Sequence, residues 1–293
     1  MVNDNPNIFY KYRSVNENTI KMLENQELYF SGASDFNDPF DSKADLIWRG
    51  NKDDWMSFLY RMGIKNHAQR EQSIKENLKN GSLRNRKGEY LLDPNRTAFK
   101  VLKGNIQLNN KPDFPRACCF SEDNDSILMW SHYADEHKGI CLCFKSKIIE
   151  TGDFLYLDSN PDPYLLFPIT YQEDMPEQVN MLSSYEPEEL VSFLCTKHFD
   201  WKYEKERRLI MWPIDFNTHG QYTKKFRKED LEGIIFGLNT PTDHIKMIKT
   251  IIDEQYLKEG FKVNFYKAQE LQKKYGIYIK PIDDLDKHIE KYC

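Results

Sequence analysis

The chain has 293 residues, 40% hydrophobic and 30% charged, with 41 Lys and Arg against 46 Asp and Glu. That size and apolar share suffice for a sizeable core in one large domain or two, and a net charge of −5 supplies no basic excess to neutralise nucleic-acid phosphates. No apolar run reaches the roughly 20 residues of a bilayer span, and MVNDNPNIFYKYRS at the start has no basic segment leading into an apolar one, so neither a membrane anchor nor a signal peptide is expected.

In chain order, Phe9–Arg13 alternates aromatic and basic residues and reads as a short strand, with Tyr10 and Tyr12 on one face and Lys11 and Arg13 on the other. Its reading as a half-buried edge strand competes with one in which a cation holds a phosphate or ribose. Ser14 and Glu17 form a capping box for a helix to about Gln26, and Leu28–Ser31 is a second strand. SDFNDPFD (Ser34–Asp41) is a loop by composition. Asn37, Asp35, Asp38 and Asp41 crowd it between Phe36 and Phe40. They fit a rigid turn anchored by the phenylalanines, or a loop that rims a site and hydrogen-bonds substrate.

Residues 52–104 read as mostly helical: one helix capped by Asp53 or Asp54 and ending near Gly63, a polar one over Lys65–Lys79, and a third begun by Asp93-Pro94. GSLRNRKGEY (81–90) reads as a basic loop, and 52–110 as a helical insertion. Arg116–Ser121 is a strand. A helix follows, capped by Asp125 or Ser126 and stopped by Gly139, with Trp130, Tyr133 or Ala134, and His137 on one stripe and His132 on another face. Core packing with a helix-terminal His137 competes with a ligand wall of Trp130, Tyr133 and His137.

Gly139–Phe144 and Leu165–Tyr171 are strands, Glu186–His198 a helix and Glu204–Trp212 a strand. GIIFG (Gly233–Gly237) carries no phosphate-loop or dinucleotide spacing and reads as strand-to-helix packing. A helix over Pro241–Lys258 and strands over Phe261–Tyr266 and Ile277–Pro281 complete an α+β fold: a mixed, mostly antiparallel sheet core with a helical insertion in a single domain. Of the six cysteines (118, 119, 141, 143, 195 and 293), Cys118, Cys119, Cys141 and Cys143 read as reduced core residues, which places the chain in a cytoplasm; a zinc reading would pair these thiols with His132 or His137, but the spacing matches no two-plus-two template, and no metal is expected.

The densest chemistry lies in KHFDWKYEKERRLI. On a strand, Glu204 and Glu206 would share a face and repel, with Arg207 and Arg208 after them and Trp201 and Tyr203 before. This is the first place to seek a site. A surface salt-bridge network is the plain alternative. Ser121 follows a strand but lacks nucleophile-elbow glycines.

Taken together, YKYRS (Tyr10–Ser14), LYFS (Leu28–Ser31), FNDPFD (Phe36–Asp41), CFSEDNDSILMWSHYADEHKGICLCF (Cys119–Phe144), W-x-YE-x-E-R (Trp201–Arg207) and IIFG (Ile234–Gly237) resemble the bacterial DUF2971 family. That family brings little biochemistry; the resemblance makes an association with mobile or defence genes plausible. The element order also resembles the ADP-ribosyltransferase fold, with Tyr10, Tyr12 or Arg13 on the first strand, then Ser121, then Glu204-x-Glu206.

That second resemblance implies NAD as co-substrate. Glu206 would bind a ribose hydroxyl and stabilise oxocarbenium charge, Arg13 would hold phosphate or ribose, and Ser121 would steady the Glu. Tyr133 or Trp130 would stack on nicotinamide, and Glu204 would orient a protein or nucleic-acid acceptor. Trp201, Arg207, His137, Asn37 and Asp38 complete the substrate-binding candidates. Two further readings are a non-catalytic sensor of a nucleotide or protein in a defence system, and a Mg²⁺-dependent nuclease or hydrolase in which Asp38, Asp41, Glu204 and Glu206 converge.

Overall fold

The computed structural model describes residues 6–32, 35–41, 46–93, 98–101, 104–107, 116–149, 152–158, 161–176, 179–180, 182, 191, 194–211 and 222–292. The chain divides into two compact units. The first comprises Met1–Ser31, Arg116–Tyr171 and Phe199–Cys293; the second comprises Gly32–Pro115 and Gln172–His198. The fold is α+β, as the sequence implies, and no helix among the described residues is long and apolar enough to cross a membrane.

Unit one contains β1 (Ile8–Arg13), helix α1 (Glu17–Asn25), β2 (Glu27–Tyr29), β3 (Arg116–Ser121), helix α2 (Ile127–Tyr133), β4 (Ile140–Lys145), β5 (Lys147–Ile149), β6 (Gly152–Leu155) and β7 (Tyr164–Pro168). It continues with β8 (Glu206–Met211), β9 (Thr223–Lys225), β10 (Leu231–Phe236), helix α3 (Thr242–Gln255), β11 (Asn264–Glu270), β12 (Ile277–Ile282) and helix α4 (Leu285–Tyr292). Ten of these strands form one sheet in the order β5–β6–β7–β8–β3–β1–β4–β10–β11–β12. Its described pairings are antiparallel except β10 with β11, which run parallel around the α3 crossover.

The central strands are apolar on both faces because both are covered. Leu142, Phe144, Ile234 and Phe236 meet Met22 and Leu23 of α1 and Ile245, Ile248 and Ile252 of α3 on one side. Cys141, Cys143 and Ile235 meet Met129 and Trp130 of α2 on the other. The buried thiols of Cys118, Cys141, Cys143 and Cys195, with half-buried Cys119, are unbridged; Cys293 lies outside the described residues.

Several boundaries move for local reasons. Asn16 rather than Ser14 caps α1, because its side-chain oxygen reaches the Thr19 N–H at 3.1 Å. The second strand is Glu27–Tyr29, paired with β9, and Ser31 makes an isolated bridge to Ala117. Strand β11 starts at Asn264 and runs to Glu270, beyond the expected Phe261–Tyr266, and helix α4 was not expected. Of the expected Glu186–His198 helix, residues 186–190 and 192–193 lie outside the described residues, and Thr196–His198 is a strand.

Unit two holds the 52–110 stretch together with its flanks, and that stretch is only partly helical. Helices Lys52–Arg61 and His67–Lys79 are present, the first capped by Asn51 in a reciprocal box with Asp54. The expected loop over 81–90 is a hairpin: Leu83–Arg86 pairs antiparallel with Glu89–Leu92. Lys87 and Gly88 at its tip both have positive φ, 53° and 90°, the backbone that suits tight hairpin twist. The start of the helix expected after Asp93 lies outside the described residues; Ala98–Val101 is a strand paired with Gly104–Gln107. Trp48, Trp55, Phe58, Leu59, Ile74, Leu83, Leu92 and Leu182 form this unit's own core.

Candidate functional site

The sheet of unit one brings three of the nominated residues into a row. Tyr10 on β1 lies opposite Ser121 on β3, and Ser121 lies opposite Glu206 on β8. Residues directly opposite on neighbouring strands share a face, so the three side chains stand side by side across the sheet. Helix α2 and the 3₁₀ turn Phe199–Glu204 bring further polar groups to it.

Glu204 is not on the strand, so the two glutamates are not an i, i+2 pair. It ends the 3₁₀ turn, and Lys205, with φ of 44°, reverses the chain before Glu206 opens β8. The Glu204 carboxylate is buried and accepts a 2.5 Å hydrogen bond from the Tyr133 phenol. Its backbone carbonyl accepts the Ser121 hydroxyl at 2.6 Å, and Ser121 Oγ accepts from the Asp123 N–H at 3.0 Å. Ser121 therefore steadies the Glu204 main chain rather than a carboxylate.

Glu206 has a second neighbour that the same alternation would have identified. Arg208, two residues along β8, donates to its two carboxylate oxygens at 2.6 and 3.0 Å, and both side chains are buried. Cys119, opposite Arg208, is held well above the ordinary thiol range by burial first and by the Glu206 charge second, which favours the neutral thiol.

Tyr10 is half-buried, and burial pushes its phenol up to about 12. The other first-strand candidates are placed differently. Tyr12 is buried, donates to the Asp123 carbonyl at 2.8 Å and meets Trp130 edge-on at 5.1 Å. Trp130 is fully buried, its indole N–H on the Asn124 carbonyl at 2.8 Å. These two are core, not ligand wall.

Arg13 alternates to the opposite face, where its Nε approaches Thr19 Oγ1 of α1 at 3.4 Å. It does not join Ser121 and Glu206. Arg207 likewise faces away from Glu206, pairing with Glu122 at 2.6 Å near the Phe9 ring.

His137 leaves the helical stripe because α2 ends at Tyr133 and Asp135, Glu136 and His137 all take positive φ. Its Nε2 lies 3.0 Å from Ser131 Oγ, Nδ1 is buried with no partner, and burial lowers its pKa. A neutral ring with Nε2–H donating to Ser131 leaves only an unprotonated nitrogen unpaired. His137 then does not act as a base on Ser131.

His132, assigned to another face, instead reaches Tyr203: its Nδ1 is 3.0 Å from the phenol oxygen, and Trp201 lies 6.0 Å from the Tyr203 ring. Sequence reasoning gave His132 no part in the site, and it named Tyr203 and Arg208 in the dense run around Glu204 and Glu206 without assigning them a role.

Asn37 and Asp38 belong to unit two. Asn37 Oδ1 accepts from the Asp38 N–H at 3.0 Å and Asp38 Oδ1 from the Phe40 N–H at 2.8 Å, the bonds of a rigid turn. Phe40 is 65% exposed, whereas buried Asp41 pairs with buried Lys197 at 3.4 Å. No group of three or more His, Cys, Asp and Glu side chains among the described residues is arranged to hold a metal ion.

No curated protein and no solved structure matches the chain. The model of one family, described as Protein of unknown function (DUF2971), matches residues 129–209. That stretch runs from α2 to β8 and includes Tyr133, Tyr203, Glu204, Glu206 and Arg208, so the resemblance to DUF2971 stands over most of the residues that converge here.

Proposed function

We propose that this chain binds a nicotinamide nucleotide and cleaves its glycosidic bond, either to water or to a protein or nucleic-acid acceptor as an ADP-ribosyltransferase-like enzyme. The observation that carries the reading is the row Tyr10–Ser121–Glu206 across three adjacent strands. A carboxylate engaged at both oxygens by a guanidinium is present as the anion and has a fixed orientation, and a fixed anion is what stabilises oxocarbenium charge developing on ribose. Glu206 takes that role, with Arg208 as its positioning residue. Tyr10, Tyr133 and Tyr203 offer rings and hydroxyls to the nicotinamide ribose, and Glu204, held by Tyr133, orients the acceptor. A toxin or defence role is the biological setting this chemistry would suit.

A second reading follows from one specific observation: the polar groups of the row already have structural partners, Ser121 with Glu204 and Asp123, and Glu206 with Arg208. In that reading the chain senses a nucleotide without cleaving it. Incubation of purified protein with NAD, followed by chromatography for free nicotinamide, separates the two. The enzyme reading expects release by wild type and a loss of about a hundredfold or more in Glu206→Gln. A melting temperature raised by NAD in both proteins without release supports the sensor, and neither release nor a shift overturns both.

A further inference from the structure

A second feature of unit one lies away from that row. A cleft of about 430 Å³ opens beside the β10–α3 connection, lined by Thr240, Thr242, Lys267, Gln269, Glu270 and His288 among others. It sits at the carboxyl ends of β10 and β11, the parallel pair of an otherwise antiparallel sheet. Its glycine-poor wall explains why no phosphate-loop spacing announces it. The glycines of GIIFG serve close packing instead: a Cβ at Gly233 would come within 2.7 Å of the Asn264 carbonyl oxygen, and one at Gly237 within 2.3 Å of that of His137.

The charge on this cleft is what calls for a ligand. Lys267 is more than half-buried, and its ammonium donates to the Gly237 and Leu238 carbonyls at 2.6 and 3.2 Å, leaving one N–H and a full positive charge. It has no carboxylate partner among the described residues. Directly across the strand pair stands Lys280, and like charges in that position destabilise a sheet. His288 feels the charges of both Lys267 and Lys291. Pro241 caps α3 without a side-chain hydrogen bond, so the first N–H groups of a 14-residue helix add their positive end to the same wall. Glu270 is the acidic group in the lining.

We propose that this cleft binds the phosphate group of a small ligand, with Lys267 as its cation and the first N–H groups of α3 beside it. The inference does not depend on nicotinamide nucleotide chemistry at the Tyr10–Ser121–Glu206 row. Calorimetric titration of the full chain with inorganic phosphate, and in a second arm with ribose 5-phosphate, tests it.

Wild type is expected to bind saturably, Lys267→Met to bind about tenfold more weakly and Lys267→Arg to keep most of the affinity. Lys280→Gln, across the strand pair and outside the lining, is expected to change binding by no more than about twofold. Tighter binding of the ester identifies an esterified phosphate, and equal binding a free one. No saturable heat in either arm, or unchanged affinity in folded Lys267→Met, overturns the proposal. Should Lys267→Met fail to fold, His288 of the lining decides: unchanged affinity in His288→Glu overturns it.

Discussion

At the scale of single residues, the Glu206–Arg208 pair is the strongest commitment in unit one. Two charges removed from water are held by two hydrogen bonds at 2.6 and 3.0 Å, and removing one partner leaves the other charge buried. Arg208→Met is expected to lower unfolding stability by about 3–5 kcal/mol in urea denaturation, and the double variant Glu206→Leu, Arg208→Met to recover most of that loss. A single-variant loss below about 1 kcal/mol would mean the pair is far better hydrated than its burial indicates. The pair was legible in the sequence, since strand alternation puts Glu206 and Arg208 on one face. The same rule was misapplied to Glu204 because a left-handed residue, Lys205, interrupts the strand there, and that conformation arises from the 3₁₀ turn and not from any glycine.

At the scale of elements, the short 3₁₀ turn Lys228–Asp230 that leads into β10 carries a titration. Burial, followed by the charge of Glu229, pushes the Asp230 carboxyl up to about 6 from 3.8. A carboxyl with a raised folded-state pKa costs stability when ionised, fully above pH 6, and the cost fades as pH falls through 6 toward 4. Asp230→Asn is therefore expected to be more stable than wild type at pH 7.5 and indistinguishable from it near pH 4, by thermal melts across that range. Strands in this unit were read well where apolar runs are continuous, as in β4 and β10. The hairpin over 83–92 was read as a loop because arginine, lysine and asparagine dominate it; its turn geometry and pairing set the structure more than propensity does.

At the scale of the whole molecule, each unit has its own buried core. Trp55 is fully buried in the second, among Trp48, Phe58 and Leu59. Trp55→Ala is expected to cost about 3–5 kcal/mol locally. Hydrogen exchange should then show lost protection in helices 52–61 and 67–79 while β1, β4 and β10 stay protected. Uniform loss across both units would show that they unfold as one cooperative body.

The sequence by itself determined the α+β class, the positions of the central strands and of the principal helices, and the residues from which a site is drawn, because periodicity, caps and apolar runs act over a few neighbours. Only the tertiary structure decided which of those residues meet. Strand order places Tyr10, Ser121 and Glu206 in one row and turns Arg13 and Arg207 to the other face, and three left-handed residues pull His137 off its helix. The parallel pairing of β10 with β11 sets Lys267 beside the start of α3. These juxtapositions join residues tens to hundreds of positions apart, and side-chain alternation across paired strands exists only once the register between them is formed.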